Sequence, residues 1–186
     1  MSINMRKTIL YIGMSLDGYI ADKNGKVDWL VGQEKNYESD YGYKAFSQTV
    51  DTVIMGYRTY NQIVTELSPE EWVYPDMNCY VITNKKLPST TNITFTNQSL
   101  KNLITTLKKQ DGKHIWICGG ADIAQQCIAE NMIDEYHLSI IPTILGDGIR
   151  LFGKNEKAIP LELISLSQEN GIIDSIYRPT TNKQKK

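Results

Sequence analysis

Four short and almost wholly apolar runs constrain most strongly what this 186-residue chain can fold into. Strands that are covered on both faces of a sheet lose the alternation of apolar and polar residues that half-exposed strands show. We therefore interpret the runs as buried strands of a largely parallel sheet. They are residues 8–12, 52–55, 79–82 and 114–118.

Helical patterns alternate with these runs along the chain. Apolar residues at i, i+3, i+4 and i+7 predict a helix over residues 100–107, and Ser99 before it is a residue type that caps helix N-termini. The same spacing recurs in residues 60–67 and, more weakly, in residues 123–128. Strands that alternate with helices indicate an α/β architecture.

The last third of the chain changes character. Residues 136–141, 161–166 and 172–177 have the pattern of strands with no long helix between them, which predicts antiparallel strands at the end of the sheet. Residues 1–178 are therefore expected to form a single α/β domain, with a mostly parallel mixed sheet flanked by helices. Residues 179–186 are polar and basic, and we expect this tail to be disordered.

The composition argues against several classes of function. The chain is 41% hydrophobic and 22% charged, as is ordinary for a soluble globular protein. Its formal net charge of -1 provides no basic surface field, so nucleic acid is not an expected partner. No run approaches the roughly 20 apolar residues that span a bilayer, and the first apolar run is too short for an export signal. We therefore expect a cytoplasmic protein without membrane contact.

The cysteines suggest neither a disulfide framework nor a metal site. Cys79, Cys118 and Cys127 are an odd number and contain no C-x-x-C pair. Reduced thiols in the protein interior are the expected state, and no metal is expected.

Two strand-to-helix junctions are candidate phosphate sites. One has Gly56 followed by Arg58 and Thr59, and the other has the pair Gly119 and Gly120. Helix N-termini expose unpaired N–H groups, and glycine lets a phosphate approach the backbone closely. Two such junctions at the carboxyl ends of parallel strands could grip both ends of one pyrophosphate. Each junction alone also fits ordinary turn chemistry, and neither matches the Rossmann or P-loop pattern.

Two further segments carry candidate binding groups. The third apolar run leads into Thr83, Asn84 and Lys85, whose hydroxyl, amide and ammonium groups suit a ribose phosphate but equally suit a solvated turn. The first apolar run leads into residues 13–22, a glycine-containing segment that suits a loop lying over a flat ring. The Asp-Gly pair within that segment also signals a simple turn.

In this order, these segments resemble the dihydrofolate-reductase-like superfamily, and most closely its branch named for the C-terminal reductase domain of the bifunctional riboflavin-biosynthesis enzyme. The resemblance covers residues 7–178 and implies a three-layer fold, NADPH as cofactor, a small-molecule substrate and a homodimer. It rests on Ser-Leu-Asp-Gly-Tyr-Ile-Ala at residues 15–21, Val-Ile-Met-Gly at 53–56, Cys-Gly-Gly at 118–120 and Ile-Ile-Pro-Thr-Ile-Leu-Gly-Asp-Gly at 140–148.

The resemblance also implies which residues meet the cofactor. Thr83, Asn84 and Lys85 would select the 2′-phosphate, while Gly13 and Ile20 would border the nicotinamide. The peptide bond of the glycine pair is expected to be cis. The pyrophosphate and the adenosine ribose would be held from the two helix starts by Gly56, Arg58, Thr59, Gly119, Gly120, Ala121 and Asp122.

On the substrate side, the resemblance points to Asp40, Trp29 and Asp17. In dihydrofolate reductases a carboxylate lies sixteen positions before the glycine of the Met-Gly junction, which is the position of Asp40 here. It would hydrogen-bond a heterocycle and assist its protonation, with a raised pKa if the pocket is dry. The alternative is that Asp40 caps a helix over residues 41–50. Trp29 resembles the tryptophan at the end of the family's active-site loop, and Asp17 is placed beside the substrate with it.

The chain departs from both enzyme types that it resembles. Dihydrofolate reductases hold the glutamate tail of folate with an arginine, but residues 74–78 contain no cation. The riboflavin-pathway reductases often carry lysine where this chain has Tyr19, and the zinc-deaminase motif of the bifunctional enzyme is absent. A stand-alone reductase is therefore expected.

The expected function is hydride transfer from NADPH to a pteridine- or pyrimidine-type substrate, at a C=N bond or a ring-opened imine. The resemblance is to the 5-amino-6-(5-phosphoribosylamino)uracil reductase of riboflavin biosynthesis. The alternatives are dihydrofolate reductase itself and a non-catalytic NADP-binding module of the same fold.

Overall fold

Eight strands form one sheet and two short strands form another in the computed structural model, which describes residues 5–155 and 157–180. The helices are α1 (Tyr43–Ser47), α2 (Tyr57–Gln62), α3 (Leu100–Lys108) and α4 (Ala121–Ala129), with a π-helical segment (Ile63–Leu67) directly after α2. The strands are β1 (Thr8–Ser15), β2 (Tyr19–Ala21), β3 (Val50–Gly56), β4 (Asn78–Ile82), β5 (Ile93–Thr96), β6 (His114–Gly119), β7 (Glu135–Ile141), β8 (Ile149–Arg150), β9 (Leu161–Glu169) and β10 (Ile172–Pro179).

The large sheet has the strand order β5-β4-β3-β6-β1-β7-β10-β9. The pairs from β5 to β7 are all parallel, whereas β10 runs antiparallel to both β7 and β9. At the centre of the sheet, Leu10 of β1 lies opposite Ile117 on one side and Tyr136 on the other. This mostly parallel sheet with an antiparallel end confirms the predicted fold class.

Each face of the sheet has its own apolar core. On one face, Leu10 and Ile54 pack with the buried residues of α3 and α4. On the other face, Ile9 and Val53 pack with Phe46 of α1 and with the π-helical segment. Because helices cover both faces, the central strands are apolar throughout, which is why their sequences lack polar alternation.

Two helices differ in extent from their prediction. The helix expected over residues 41–50 is limited to Tyr43–Ser47, because the chain already enters β3 at Val50. The pattern after the first glycine junction divides into α2 and the π-helical segment, where the N–H of Ser68 donates to Ile63 O at 2.8 Å. Among the described residues, no helix is long and apolar enough to cross a membrane.

Strand β9 lies at the edge of the sheet and is exposed along nearly its whole length. Leu163 is 49% exposed and Leu166 is 62% exposed. Strand β10 continues to Pro179, one residue past the predicted domain boundary. Residues 181–186, most of the tail predicted to be disordered, lie outside the described residues.

Candidate cofactor and substrate site

The two glycine junctions lie side by side, because β3 and β6 are neighbouring parallel strands that end at the same edge of the sheet. A Cβ atom added to Gly56 would lie 3.3 Å from Ile123 Cγ1 and 3.9 Å from the backbone N of Gly120. A Cβ atom added to Gly120 would lie 3.3 Å from Thr59 Oγ1. The start of α2 therefore touches the start of α4, and side chains larger than hydrogen would crowd the contact.

No side chain caps either helix start, so the first N–H groups of α2 and α4 have no side-chain acceptor. Such N–H groups carry partial positive charge and accept an anion readily. The first turn of α2 contains no acidic residue, whereas the first turn of α4 contains Asp122. At the start of α4, therefore, the backbone N–H groups suit an anion and the Asp122 side chain does not. The Gly119–Gly120 peptide is cis, as the resemblance implied. The paired starts fit a pyrophosphate group.

The segment after β4 lies next to the start of α2. Lys85 Nζ is 3.9 Å from the centre of the Tyr57 ring, and the Lys85 N–H donates to Thr83 Oγ1 at 3.1 Å. Asn84 and Lys85 are exposed, as is Arg58 on the first turn of α2. These groups thus border the paired helix starts, where the resemblance placed the 2′-phosphate and the adenosine ribose.

A pocket of about 350 Å³ opens beside these junctions, at the carboxyl ends of β1, β6 and β7. Its size lies at the lower end of the usual range for small-molecule sites. Strands, the residues around α1 and one loop contribute its walls. The lining residues are Tyr11, Ile12, Gly13, Leu30, Asp40, Tyr41, Tyr43, Trp116, Cys118, Ser139, Ile141 and Ile172.

Aromatic rings form one wall of this pocket. Tyr11 stacks on Phe46 with ring centres 4.1 Å apart, and Trp116 meets both rings edge-on. Burial raises the pKa of Tyr11 to about 12, and burial raises the pKa of Cys118 to about 11. Both groups are therefore uncharged near neutral pH, and the wall suits a flat heterocycle.

Asp40 lines the pocket and also caps the chain entering α1. Its carboxylate accepts the N–H of Gly42 at 3.1 Å and the N–H of Lys44 at 2.8 Å. The hydrogen bond from Lys44 is the main cause of a lowered pKa at Asp40. These two hydrogen bonds agree with the capping alternative. The raised pKa was expected only for a dry pocket, and because Asp40 is exposed that condition is not met. A role toward substrate stays a prediction for the same carboxylate.

Asp17 holds two loops together and is not among the residues that line the pocket. It accepts the Ser15 hydroxyl at 2.7 Å and the N–H groups of Leu145 and Gly146 at 3.1 and 2.8 Å. The hydrogen bond from Ser15 contributes most to a pKa of about 2. These contacts explain the Asp-Gly and Leu-Gly motifs structurally, while contact of Asp17 with a substrate stays a prediction.

Two other predicted residues also lie outside the pocket lining. Trp29 donates from Nε1 to Lys26 O at 3.1 Å, and the next residue, Leu30, lines the pocket in its place. Ile20 packs against the core on the α3 and α4 face. Gly13 is among the lining residues, and a Cβ there would lie 3.3 Å from Leu30 Cδ2.

Sequence reasoning missed a hydrogen-bonded pair at the pocket, Ser139 and Asp174. The Ser139 hydroxyl donates to Asp174 Oδ1 at 2.5 Å, and the two residues are opposite each other in the β7–β10 register. Neither belongs to a recognisable motif. Only the antiparallel pairing of strands far apart in sequence brings them together, so local patterns carried no signal.

Comparisons with known proteins agree on one family. Residues 6–171 match the family described as RibD C-terminal domain. The Bacillus subtilis (strain 168) protein called "Uncharacterized protein YwjB" is 40% identical over 168 residues, which cover 88% of this chain and 92% of the relative.

Solved structures show the same fold. A "Putative riboflavin biosynthesis protein" from Shewanella sp. PV-4 has a TM-score of 0.83 and 28% identity, covering 94% of this chain and 99% of its own. Dihydrofolate reductase from Enterococcus faecalis, complexed with NADP(H), has a TM-score of 0.66 and 15% identity, covering 94% and 97%. At that identity the second likeness shows the fold alone. Because the family match spans nearly the whole chain, this protein belongs to the RibD C-terminal domain family and has the dihydrofolate-reductase-like fold.

Proposed function

We propose that this protein is an NADPH-dependent oxidoreductase that reduces a C=N bond in a pteridine- or pyrimidine-type substrate. The observation that carries the proposal is the contact between two uncapped glycine helix starts beside an aromatic pocket. Cys118 lines that pocket and directly precedes Gly119 in β6, so ligands in the two places would be neighbours. Membership of the RibD C-terminal domain family supports a reductase of the riboflavin-biosynthesis type.

The reaction needs a hydride and a proton. NADPH, when bound, would supply the hydride to the carbon of the C=N bond and solvent would supply the proton to the nitrogen, which would leave NADP⁺ and a C–N single bond. The residues of the chain bind and orient the reactants. The N–H groups that open α2 and α4 would hold the pyrophosphate, and Gly13 would leave room for a flat ring.

Asp40 would orient the substrate rather than donate a proton from a neutral carboxyl. Its lowered pKa keeps it ionised near neutral pH, so it accepts hydrogen bonds from N–H groups of a ring. The aromatic wall of Tyr11 and Trp116 would exclude water from one face of that ring. Positioning and water exclusion are therefore the contributions that the residues of this pocket make to the reaction.

Nucleotide titration tests the cofactor part of the proposal. NADPH is expected to bind more tightly than NADH. Lys85→Ala should weaken the binding of NADPH by about tenfold and leave the binding of NADH almost unchanged, because the 2′-phosphate loses a charged partner. Lys86→Ala, at the exposed neighbouring lysine, is the matched control. Equal affinity for both nucleotides, or equal effects of the two substitutions, would contradict the proposal.

Gly120→Val tests the helix contact itself. The larger side chain would fill the space between Gly120 and Thr59, so NADPH binding should be lost while the circular dichroism spectrum stays that of the wild type. Full NADPH affinity in this variant would refute the placement of the pyrophosphate. Nucleotide binding without oxidation of NADPH by any pterin or aminopyrimidine would favour the non-catalytic alternative.

We also propose that the protein is a homodimer, with a second copy covering β9. Exposed apolar side chains on this edge strand include Leu163, Ile164 and Leu166, and exposed sheet edges tend to pair with another chain. Light scattering coupled to size exclusion should give the mass of two chains for the wild type and of one chain for Leu166→Lys. A monomeric wild type would refute the dimer and leave the cofactor proposal untouched.

A further inference from the structure

The pocket beside the helix starts carries negative charge and lacks a positive partner for an anionic substrate. Asp40 is exposed within its lining, and Asp174 lies beside Ser139, which also lines the pocket and donates to Asp174. Among the described residues that line the pocket, none is lysine, arginine or histidine. Lys44 is exposed on α1 and is not part of the lining.

We propose that this pocket selects a flat, N–H-rich heterocycle that bears no phosphate or carboxylate group, so that the substrate is uncharged or cationic. The proposal rests on the function proposed above and names the substrate class of the same site. The proposed substrate class excludes a phosphorylated ribosylamine, and it also excludes folate, which has an anionic tail.

One carboxylate lines the pocket and the other is hydrogen-bonded to a residue that lines it. Asp174 pairs with Ser139 across β7 and β10, and Asp40 lines the pocket with Tyr11. Burial raises the pKa of Tyr11, and the charges of Asp174 and Asp40 add to this effect. Ring N–H or amino groups beside Tyr11 would find acceptors in Asp40 and in the Ser139 hydroxyl, whose proton is directed to Asp174. Donor groups on the ligand are thus matched to acceptors on the protein.

Two effects would disfavour the binding of an anionic group in this pocket. The group would lose hydration without gaining a charged hydrogen-bond donor, and it would face the ionised carboxylate of Asp40 in the lining. The groups that suit anions lie elsewhere, at the helix starts and at Lys85, where the cofactor phosphates are expected. The site thereby separates an anion-binding half from a half that repels anions.

Paired ligands that share a ring and differ only in an anionic group test the proposal. The pairs are an aminopyrimidine ribosylamine with and without its 5′-phosphate, and dihydrofolate against its dimethyl ester, in which both glutamate carboxylates are esterified. Dissociation constants are measured by tryptophan fluorescence with NADPH absent and again with NADPH saturating. The uncharged member of each pair should bind at least about tenfold more tightly. Equal or tighter binding of the anionic members, or binding of no ring ligand, would overturn the proposal.

Charge variants locate the origin of the preference. Asp40→Asn keeps an oxygen that can cap α1 and should reduce the preference several-fold, and Asp174→Asn should act in the same direction through Ser139. Glu70→Gln makes the same change of net charge at an exposed residue outside the lining and should leave the preference unaltered. Leu30→Lys places a cation in the lining and should favour the phosphorylated ligand. An unaltered preference in Asp40→Asn, Asp174→Asn and Leu30→Lys would overturn the electrostatic explanation.

The same samples distinguish the two proposals. NADPH titration reports only on the helix starts, whereas the ligand pairs report on the pocket even without cofactor. Failure of NADPH to bind would refute the proposed function, while NADPH binding together with a preference for the anionic ligands would refute only the substrate class.

Discussion

Glu135→Gln is expected to destabilise the protein substantially at neutral pH, because Glu135 joins three strands through charged contacts. Its carboxylate lies 2.6 Å from Lys7 Nζ, 2.9 Å from Arg178 Nη2 and 2.9 Å from His137 Nε2. Lys7 directly precedes β1, and Arg178 lies on β10. The Glu135 side chain is only 8% exposed, so water replaces these partners poorly.

The size of the effect follows from the pKa of Glu135. Burial alone would raise this pKa, but hydrogen bonds from Lys7 and His137 and the charge of Lys7 lower it from 4.5 to about 2. The ionised form is thereby favoured in the folded state by about 3 kcal/mol, which solvent around the exposed Lys7 and Arg178 reduces to about 2 kcal/mol. Glutamine resembles the protonated carboxyl, so the variant should lose about this amount.

The pH dependence has a definite sign. Because the pKa is lower in the folded than in the unfolded state, the carboxylate contributes stability above pH 4.5, and this contribution is lost as the pH falls toward about 2. The free energies of unfolding of wild type and Glu135→Gln should therefore differ most at neutral pH and converge in acid. Urea unfolding across this range measures both curves.

A surface ion pair provides the matched control for this experiment. Glu130 and Lys101 are 3.7 Å apart and both exposed, so Glu130→Gln should change the free energy of unfolding by less than about 0.5 kcal/mol. If Glu135→Gln were as mild as Glu130→Gln at neutral pH, or if the difference from wild type were constant with pH, the reasoning would be refuted.

Three further perturbations test other parts of the structure. Gly148→Ala should lower the free energy of unfolding, measured by urea titration, by more than about 2 kcal/mol. The reason is that Gly148 has φ +151° and that a Cβ there would lie 2.2 Å from Ala21 O. A change below about 0.5 kcal/mol would contradict this geometry. Asp17→Ala should speed amide hydrogen exchange at Gly146 about tenfold, since that N–H loses its acceptor, and unchanged exchange would contradict the loop contact. Cys118, with a pKa raised to about 11 by burial, should react with a thiol reagent at pH 8 far more slowly in the folded than in the urea-unfolded protein; equal rates would show an accessible thiolate.

Local sequence patterns were sufficient for the elements that build the sheet. The apolar runs became β1, β3, β4 and β6, and the periodic pattern behind Ser99 became α3, with the Ser99 side chain accepting the N–H of Asn102. Such patterns are readable because burial on both faces, or on one helical stripe, imposes a composition or a period on adjacent residues. The resemblance, carried by short motifs, placed the glycines of the two junctions.

The lining of the pocket depended on information that no local pattern contains. Tyr11, Leu30 and Ser139 line it although none stood out in the sequence, while Trp29, which did stand out, has its neighbour in its place. Which side of a strand faces a pocket depends on strand order and register, and a shift of one residue reverses it. The extent of α1 was likewise set by where β3 begins.

By itself, therefore, the sequence determined the α/β class, the buried strands, the main helices and the positions of the two glycine junctions, because each is imposed by interactions between residues close along the chain. Only the tertiary structure decided that the Gly56 and Thr59 end of α2 meets Gly120, and that the Ser139 hydroxyl donates to Asp174. Those contacts join residues that are far apart along the chain, and parallel and antiparallel strand pairing brings them together. The negative charge at the pocket combines Asp40, from the segment before α1, with Asp174, which strand pairing brings beside Ser139.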